Sequence, residues 1–272
     1  MASLEDHLED LQSRGRSTFT KVEAMACLCQ STKTFLAAAE RLIKKRRLVS
    51  PKRGFYIILR PEDRATGAPE PARWIDPLMR HMGVDYRISL LRAAAFHGSS
   101  HQAAMVFQVI APKQIPPIVI GRHNVRFVYQ TAIAFAATNR QEWLDTIKTD
   151  FGYAKISGLE LTLLDCARYF HKASGINGVA QIVRDLGGKA SAGKLADAAV
   201  HYENSAIRRL GYLLELSGHE RQARALLPIA AKAKSFKPLD PSVKSIAALG
   251  GQLHETDSKW KLVINETVET DF

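Results

Sequence analysis

The chain has 272 residues, of which 46% are hydrophobic and 24% are charged, a balance typical of a folded globular protein rather than a disordered one. Its length predicts two or more domains, and its formal net charge of +11 indicates a polyanionic partner. No run of about 20 apolar residues is present, and the N-terminus is acidic and amphipathic, unlike a signal peptide. We therefore expect a cytoplasmic protein with no membrane contact.

The three cysteines of the chain show no spacing typical of a disulfide framework or a zinc site. They are Cys27, Cys29 and Cys166. Cys27 and Cys29 lie in a helical segment, and we interpret this pair as packing residues, with redox chemistry as the alternative.

Two helices are predicted near the N-terminus. Leu4, Leu8 and Leu11 recur with helical spacing and mark the first. Thr20 and Glu23 have the spacing of a capping box and mark the start of the second. We expect the buried face of the second helix to consist of Val22, Met25, Ala26 and Cys29.

A third helix and a hairpin follow. Ser31 or Thr32 is suited to cap this helix, and its apolar stripe is predicted to comprise Phe35, Ala39, Leu42 and Ile43. Pro51 and Gly54 then predict a tight turn between two short strands. Three helices and a hairpin within about 60 residues is the order of a winged helix-turn-helix, in which the third helix enters the DNA major groove.

Residues 1–60 contain twelve Lys and Arg but only six Asp and Glu, and most of this excess lies between Arg41 and Arg53 with no acid between them. So dense a run attracts phosphates. We predict that the start of the third helix approaches base edges and that the later bases contact phosphates. The predicted DNA-binding residues are Thr32, Lys33, Thr34, Arg41, Lys44, Lys45, Arg46, Arg47, Lys52 and Arg53. The alternative is an ordinary solvated helix.

The rest of the chain predicts a second domain. Residues 61–73 are rich in Pro, Gly and charge and are interpreted as a linker after a DNA-binding domain at 1–60. Residues 74–255 predict two helices, three short strands, a further strand-and-turn region and then five helices. Residues 256–272 are interpreted as an acidic C-terminal tail, and its last eight residues, 265–272, are expected to be frayed. The predicted fold class is α+β: a winged helix-turn-helix followed by a mixed α/β domain with a helical C-terminal half.

The sequence contains few residues suited to chemistry. His97 and His101 have the spacing of a metal pair, but Gly98 and two serines favour a helix end followed by a turn. We predict no metal and no cofactor. Asp150 with Lys155, and Glu160 with Asp165, are acid and base spacings common on helix surfaces, so we predict no catalytic residue. Later bases such as Arg208 and Arg209 are interpreted as solvated, or as an interface for an acidic protein.

Several stretches resemble the AbiEi family, the antitoxins of type IV toxin–antitoxin systems. They include the Gly54-Phe55-Tyr56 strand, the proline-rich link from Pro69 to Pro71 and the AAAFHGSSH block at 93–101. Leu163, Leu164 and Asp165 complete the set, which spans the chain to about residue 240. Tyr86-Arg87 replaces a Tyr-Tyr pair carried by many relatives.

The resemblance implies a repressor with two functions. Its N-terminal domain would bind inverted repeats in double-stranded promoter DNA, as a symmetric pair of protomers or by cooperative binding of two. Its C-terminal domain would counteract a nucleotidyltransferase-like toxin, with direct contact left open. One alternative is a winged-helix regulator whose α/β domain senses a small molecule. Another is an enzyme, a nuclease or phosphoryl-transfer protein using Asp150, Lys155 or Asp165.

Overall fold

The computed structural model describes residues 3–99, 106–149, 152–243 and 255–269. The chain forms two compact units, and each is assembled from several stretches of sequence. The first comprises Met1–Ile88, Met105–Ala132 and Thr146–Ile156, and the second comprises Ser89–Ala104, Ile133–Asp145 and Ser157–Phe272. The predicted α+β class is confirmed.

The first unit begins with a winged helix-turn-helix. Its elements are α1 (Leu4–Ser13), β1 (Thr18–Thr20), α2 (Lys21–Leu28), α3 (Thr32–Lys44), β2 (Leu48–Lys52) and β3 (Phe55–Ile58). β3 lies between β1 and β2 and is antiparallel to both. The three helices and the hairpin were predicted. Strand β1 was not, because three residues are too few to show an alternating pattern.

One apolar cluster holds this region together. Leu4, Leu8 and Leu11 of α1 are buried, as predicted. Tyr56 stacks on Phe19 at a ring-centroid distance of 5.3 Å and meets Phe35 of α3 edge-on at 5.6 Å. The predicted capping box of α2 and the Ser31 cap of α3 are both present. Burial therefore fixes α3 against the sheet through residues that are spread over the whole region.

The predicted buried face of α2 is wrong at three of its four positions, whereas Met25 is partly buried and packs against the core. Val22 is 77% exposed, and Ala26 and Cys29 are exposed as well. The buried residues are Ala24 and Leu28, an i, i+4 pair that suffices for a helix of only two turns. On α3, the predicted stripe is buried at Phe35, Ala39 and Leu42, whereas Ile43 is 39% exposed at its edge.

The first unit also contains most of a six-stranded mixed sheet and one further helix. The helix is α4 (Ile75–His81), and the strands are β4 (Arg87–Ile88), β5 (Val106–Ala111), β6 (Ile118–Ile120), β7 (His123–Tyr129), β8 (Leu144–Thr149) and β9 (Gly152–Ser157). Their order is β6-β7-β5-β4-β9-β8. β5 pairs with β7, and β4 with β9, in parallel. The three strands predicted between residues 105 and 130 are confirmed.

Residues 61–73, predicted as a linker, are folded into the first unit. They form two short 3-10 turns, Glu62–Arg64 and Pro71–Arg73. Asp63 is buried, with a carboxylate oxygen 3.4 Å from Arg73 Nη1. The compact units therefore divide the chain differently from the domains predicted from composition.

The second unit is mainly helical. Its helices are α5 (Leu90–Phe96), most of α6 (Ala132–Thr138), α7 (Leu159–Arg168), α8 (Gly175–Leu186), α9 (Ala192–Ala199), α10 (Asn204–Leu216) and α11 (Glu220–Ala230). Residues 161–167 of α7 are all buried, and α7 contacts α5, α8, α9 and α10. The five C-terminal helices were predicted. Helix α6 and the break between β4 and α5 were not.

The first part of the segment interpreted as an acidic tail is folded, up to the stretch 265–272 that was expected to fray. A small sheet joins β10 (Lys237–Pro238), β11 (Glu255–Asp257) and β12 (Leu262–Ile264) in the order β10-β12-β11. Trp260 is fully buried, and its Nε1 donates a hydrogen bond to Glu215 at 2.7 Å. The acidic composition indicated exposure, but one tryptophan and three apolar strand residues suffice to anchor the segment.

Gly211 of α10 provides the surface against which Trp260 packs. A Cβ atom at this position would lie 2.1 Å from the indole ring. We expect Gly211→Ala to lower the free energy of unfolding by roughly 1–3 kcal/mol, because overpacking outweighs the helix preference of alanine. Gly193→Ala in α9 is the matched control, since nothing lies within 4 Å of its added methyl group. Urea unfolding followed by circular dichroism compares them, and equal stability of the two variants would contradict the packing role.

Candidate nucleic-acid interface

Helix α3 presents its first turn to solvent. Ser31 Oγ accepts a hydrogen bond from the Thr34 N–H at 3.2 Å and caps the helix. Thr32, Lys33 and Thr34 are all exposed. N–H groups of a first helical turn lack partners within the helix and favour anions. This end of α3 therefore combines exposed polar side chains with main-chain donors, as in a recognition helix.

The exposed face of α3 continues with apolar and charged side chains. Leu36 is 48% exposed, and Ala37 and Arg41 are exposed too. Glu40 forms an ion pair with Lys44 one turn later, at 2.9 Å. The carboxylate of Glu40 thus offsets one of the predicted DNA-contacting charges.

Helix α1 offsets two more charges of the basic run. Glu5 lies 3.4 Å from Lys45 Nζ and 3.6 Å from Arg47 Nη1, and Glu9 lies 3.8 Å from Arg47 Nη2. The inference from sequence that the run lacks compensating acids is therefore wrong for this part. The acids come from a helix 40 residues earlier, so inspection of the run itself could not reveal them.

The other five bases of the predicted site form no ion pair with any residue that the structure describes. They are Lys33, Arg41, Arg46, Lys52 and Arg53, and all five side chains are exposed. They are carried by three different parts of the winged helix. Lys33 and Arg41 lie on α3, Arg46 precedes β2, and Lys52 and Arg53 occupy the far end of the hairpin.

The wing tip is held in a fixed conformation. Gly54 closes the turn with φ +79°, a conformation that favours glycine. Ser50 Oγ lies 3.0 Å from the Lys52 carbonyl oxygen and 2.9 Å from that of Phe55. His81 Nε2 lies 3.1 Å from the Arg53 carbonyl oxygen. The side chains of Lys52 and Arg53 therefore project from an ordered turn.

A third base lies beside the wing tip. A pocket of about 260 Å³ is lined by Lys52, Arg53, His81 and Lys113. Lys113 is exposed, belongs to the loop between β5 and β6, and forms no ion pair within the described part of the chain. Sequence reasoning missed it because the prolines of residues 112–117 mark a loop but a single lysine does not mark a basic site.

In the second unit, Asp165 of α7 is a buried acceptor for hydroxyl groups. Ser89 Oγ, Ser157 Oγ and Tyr202 Oη lie 2.8, 3.3 and 2.7 Å from its carboxylate oxygens. The side chain is 0% exposed. This arrangement joins the start of α5 and the end of β9 to the loop before α10, and it matches the structural interpretation of Asp165 rather than the enzymatic one.

Arg208 and Arg209 are buried, so their interpretation as solvated or partner-facing residues is wrong. They are 3% and 4% exposed. Arg209 donates to the carbonyl oxygens of Leu239 and Ala167 at 2.9 and 3.0 Å and lies over the Phe170 ring. Burial lowers the pKa of Arg209 to about 10. Main-chain carbonyl oxygens therefore accept the hydrogen bonds that the Arg209 guanidinium group would otherwise donate to water.

The remaining residues considered for chemistry have separate surroundings. Lys155 pairs with Asp85, and Glu160 accepts a hydrogen bond from the Ser191 N–H at 2.7 Å. His97 Nε2 lies 2.8 Å from the Ser157 carbonyl oxygen. Asp150 and His101 lie outside the described residues. Within the described ranges, no group of three or more His, Cys, Asp or Glu could hold a metal.

None of the helices in the described ranges combines the length and the apolar character that a bilayer crossing requires.

Comparison with known families identifies the C-terminal part of the chain. The sequence model of the AbiEi antitoxin C-terminal domain matches residues 87–216. The chain carries an AbiEi antitoxin domain. This confirms the resemblance seen in the sequence and supports the role of an antitoxin in a toxin–antitoxin system. Asp165 and Arg209 both lie within this AbiEi domain.

The fold is shared with a solved structure over nearly its whole length. The crystal structure of the RV2827C protein from Mycobacterium tuberculosis is similar to this chain with a TM-score of 0.61 and 17% sequence identity. The match covers 93% of this chain and 88% of that chain. At this identity, the likeness concerns the fold. The comparison with curated proteins gives no match.

We expect Asp165→Ala to destabilise the AbiEi domain by roughly 2–4 kcal/mol, because buried hydroxyl groups lose their shared acceptor. Asp197→Ala is the matched control, since Asp197 is exposed on α9. Thermal unfolding compares the two variants. An Asp165→Ala protein of normal stability that loses a metal-dependent turnover would contradict the structural role and support an enzyme.

Proposed function

We propose that this protein is a DNA-binding antitoxin that represses its own type IV toxin–antitoxin operon. Its AbiEi domain counteracts a nucleotidyltransferase-like toxin in the cytoplasm, and its winged helix binds inverted repeats in the promoter. The match over residues 87–216 supports the antitoxin part. The observation that carries the DNA-binding part is the exposed start of α3 together with wing bases that no described carboxylate neutralises. We assign the protein no catalytic role.

The exposed side chains of α3 suit the reading of base edges. Thr32, Lys33 and Thr34 stand at the end of the helix that approaches the major groove in this architecture. Lysine donates to guanine acceptors, threonine can bond to several bases, and apolar side chains contact the thymine methyl group. Leu36 and Ala37, exposed one turn later, would supply that apolar contact.

The wing bases suit phosphate contacts. Lys52 and Arg53 project from a turn held by Ser50 and His81, and Lys113 adds a third charge beside them. Such contacts fix the position of the protein on the duplex without reading its sequence. In contrast, Lys45 and Arg47 face carboxylates of α1, so we assign them a smaller share of the affinity.

Inverted repeats imply two protomers on one operator, because a symmetric site mirrors a symmetric pair or is filled by cooperative binding of two copies. The full-length protein should therefore protect two adjacent half-sites upstream of its own reading frame in a footprinting experiment. Failure to protect this DNA more strongly than unrelated DNA would refute autorepression.

The two wing charges allow a matched test of the phosphate contacts. We expect Lys52→Gln/Arg53→Gln to reduce the slope of log Kobs against log salt by about 2, since each lost phosphate contact removes about 0.9. Lys45→Gln/Arg47→Gln removes the same charge, yet its slope should change by less than half as much. Fluorescence titration at several salt concentrations measures both. Equal slopes for the two double variants would contradict a specific role of the wing.

DNA binding and toxin neutralisation should be separable. We expect the Lys33→Ala/Lys52→Gln/Arg53→Gln variant to lose promoter repression but still rescue growth when expressed with the nucleotidyltransferase-like toxin that we propose for its operon. The reason is that all three residues precede the matched AbiEi domain. A reporter fusion measures repression and colony counts measure rescue. Loss of rescue by a variant that remains folded would show that the two functions share these residues.

A further inference from the structure

Three arginines from distant parts of the sequence line one groove in the first unit. Arg46 follows α3, Arg64 ends the first 3-10 turn, and Arg122 lies in the turn between β6 and β7. The groove measures about 400 Å³. Its other lining residues are apolar side chains, two glycines and Thr66, and none of these is acidic.

The main chain fixes two of the segments that carry these arginines. The Arg122 N–H donates to the Thr66 carbonyl oxygen at 2.8 Å. Gly67 and Gly121, both at positive φ, touch each other: a Cβ on Gly67 would lie 2.7 Å from the Gly121 Cα, and one on Gly121 would lie 2.0 Å from the Thr66 carbonyl oxygen. Only glycines permit this approach. Arg64 and Arg122 are therefore carried by two loops joined by direct main-chain contact.

Arg46 has an unusual backbone conformation. Its φ of +52° lies in the left-handed region, which is costly for a residue with a long side chain and is often found at functional sites. Its N–H donates to the Ile43 carbonyl oxygen at 2.9 Å. This turn brings the third guanidinium to the groove directly after α3.

The groove concentrates positive charge without compensation. Arg46, Arg64 and Arg122 are exposed and form no ion pair with a residue in the described ranges. Guanidinium groups bind phosphate through paired N–H donors and are more weakly hydrated than ammonium groups. Three of them around one groove match an occupant with several phosphates.

We propose that this groove binds phosphates of the operator duplex beyond the segment that α3 contacts. The proposal rests on the DNA-binding function proposed above. Arg46 directly continues the recognition helix, so a duplex bound by α3 would pass close to it. A free nucleotide fits less well, because the lining has no aromatic ring on which a base could stack and no carboxylate for ribose hydroxyls.

Two duplexes of different length test the groove. One covers only the footprinted core, and the other adds about one helical turn, 10 bp, on each side. The full-length Arg64→Gln/Arg122→Gln variant is compared with Arg221→Gln/Arg224→Gln, which removes the same charge from exposed positions of α11. Fluorescence titration at several salt concentrations gives the affinity and the salt slope.

We expect the wild type and the α11 control to gain affinity from the flanks. The Arg64→Gln/Arg122→Gln variant should bind the long duplex roughly tenfold more weakly than wild type, with a slope reduced by about 2, and should bind the core duplex normally. Arg64→Lys/Arg122→Lys keeps the charge and should restore most of the slope. The single variants Arg64→Gln and Arg122→Gln, each expected to reduce the slope by about 1, test the groove if the double glutamine variant fails to fold, which the melting temperatures will show.

If the Arg64→Gln/Arg122→Gln variant binds the long duplex as tightly as wild type, the groove proposal is overturned but the autorepressor function is not. An equal loss on both duplexes would overturn the groove proposal too, because the effect would then be one of net charge. If the wild type binds neither duplex better than unrelated DNA, the autorepressor function and the groove proposal both fail. Loss of the flank gain in the α11 control would likewise count against this groove.

Discussion

Helix α1 places Glu5 and Glu9 against Lys45 and Arg47, at distances between 3.4 and 3.8 Å. This contact decides how much of the basic run is available to a polyanion. Exposed ion pairs of this kind contribute about 0–1 kcal/mol to stability, so their main effect is on the surrounding potential rather than on folding. Because part of the run is neutralised internally, the described bases of the predicted site that keep a free charge are Lys33 and Arg41 of α3, Lys52 and Arg53 of the wing tip, and Arg46 beside the groove. In the complex with DNA that we propose, affinity then depends on the position of each charge and not merely on the total charge, which favours a defined orientation on the duplex.

In the AbiEi domain, two charged side chains are buried rather than exposed. Asp165 and Arg209 are both buried: Asp165 accepts hydrogen bonds from hydroxyl groups, and Arg209 donates to main-chain carbonyl oxygens. Removing such a group would leave its buried partners unsatisfied, which is costly. These contacts therefore join the helices around α7 and the C-terminal segment into one arrangement. Helices held in this manner present side chains in fixed positions, which a loosely packed bundle could not do.

Local patterns in the sequence predicted much of the fold. The spacing of Leu4, Leu8 and Leu11, and the capping pair Thr20 and Glu23, are short-range signals. They were sufficient to predict helices α1 and α2. The errors arose where long-range contacts decide the outcome. The partner of Lys45 lies 40 residues away, and Arg209 is buried because segments on both sides of it supply carbonyl oxygens. Trp260 anchors a segment whose composition suggested a free tail. Lys113, Arg64 and Arg122 reach basic surfaces only through the tertiary fold, so no spacing rule could have found them.

The contact between Gly67 and Gly121 also bears on how this fold can diverge. Each position excludes a side chain because of the other, and both have positive φ. An amino-acid exchange at one of them would push the two loops apart and move Arg64 away from Arg122. Substitution of Gly67 or Gly121 is therefore restricted by geometry, even though neither residue bears a charge. Natural sequences that keep the groove should keep both glycines, and those that have lost one should have lost the convergence of arginines with it.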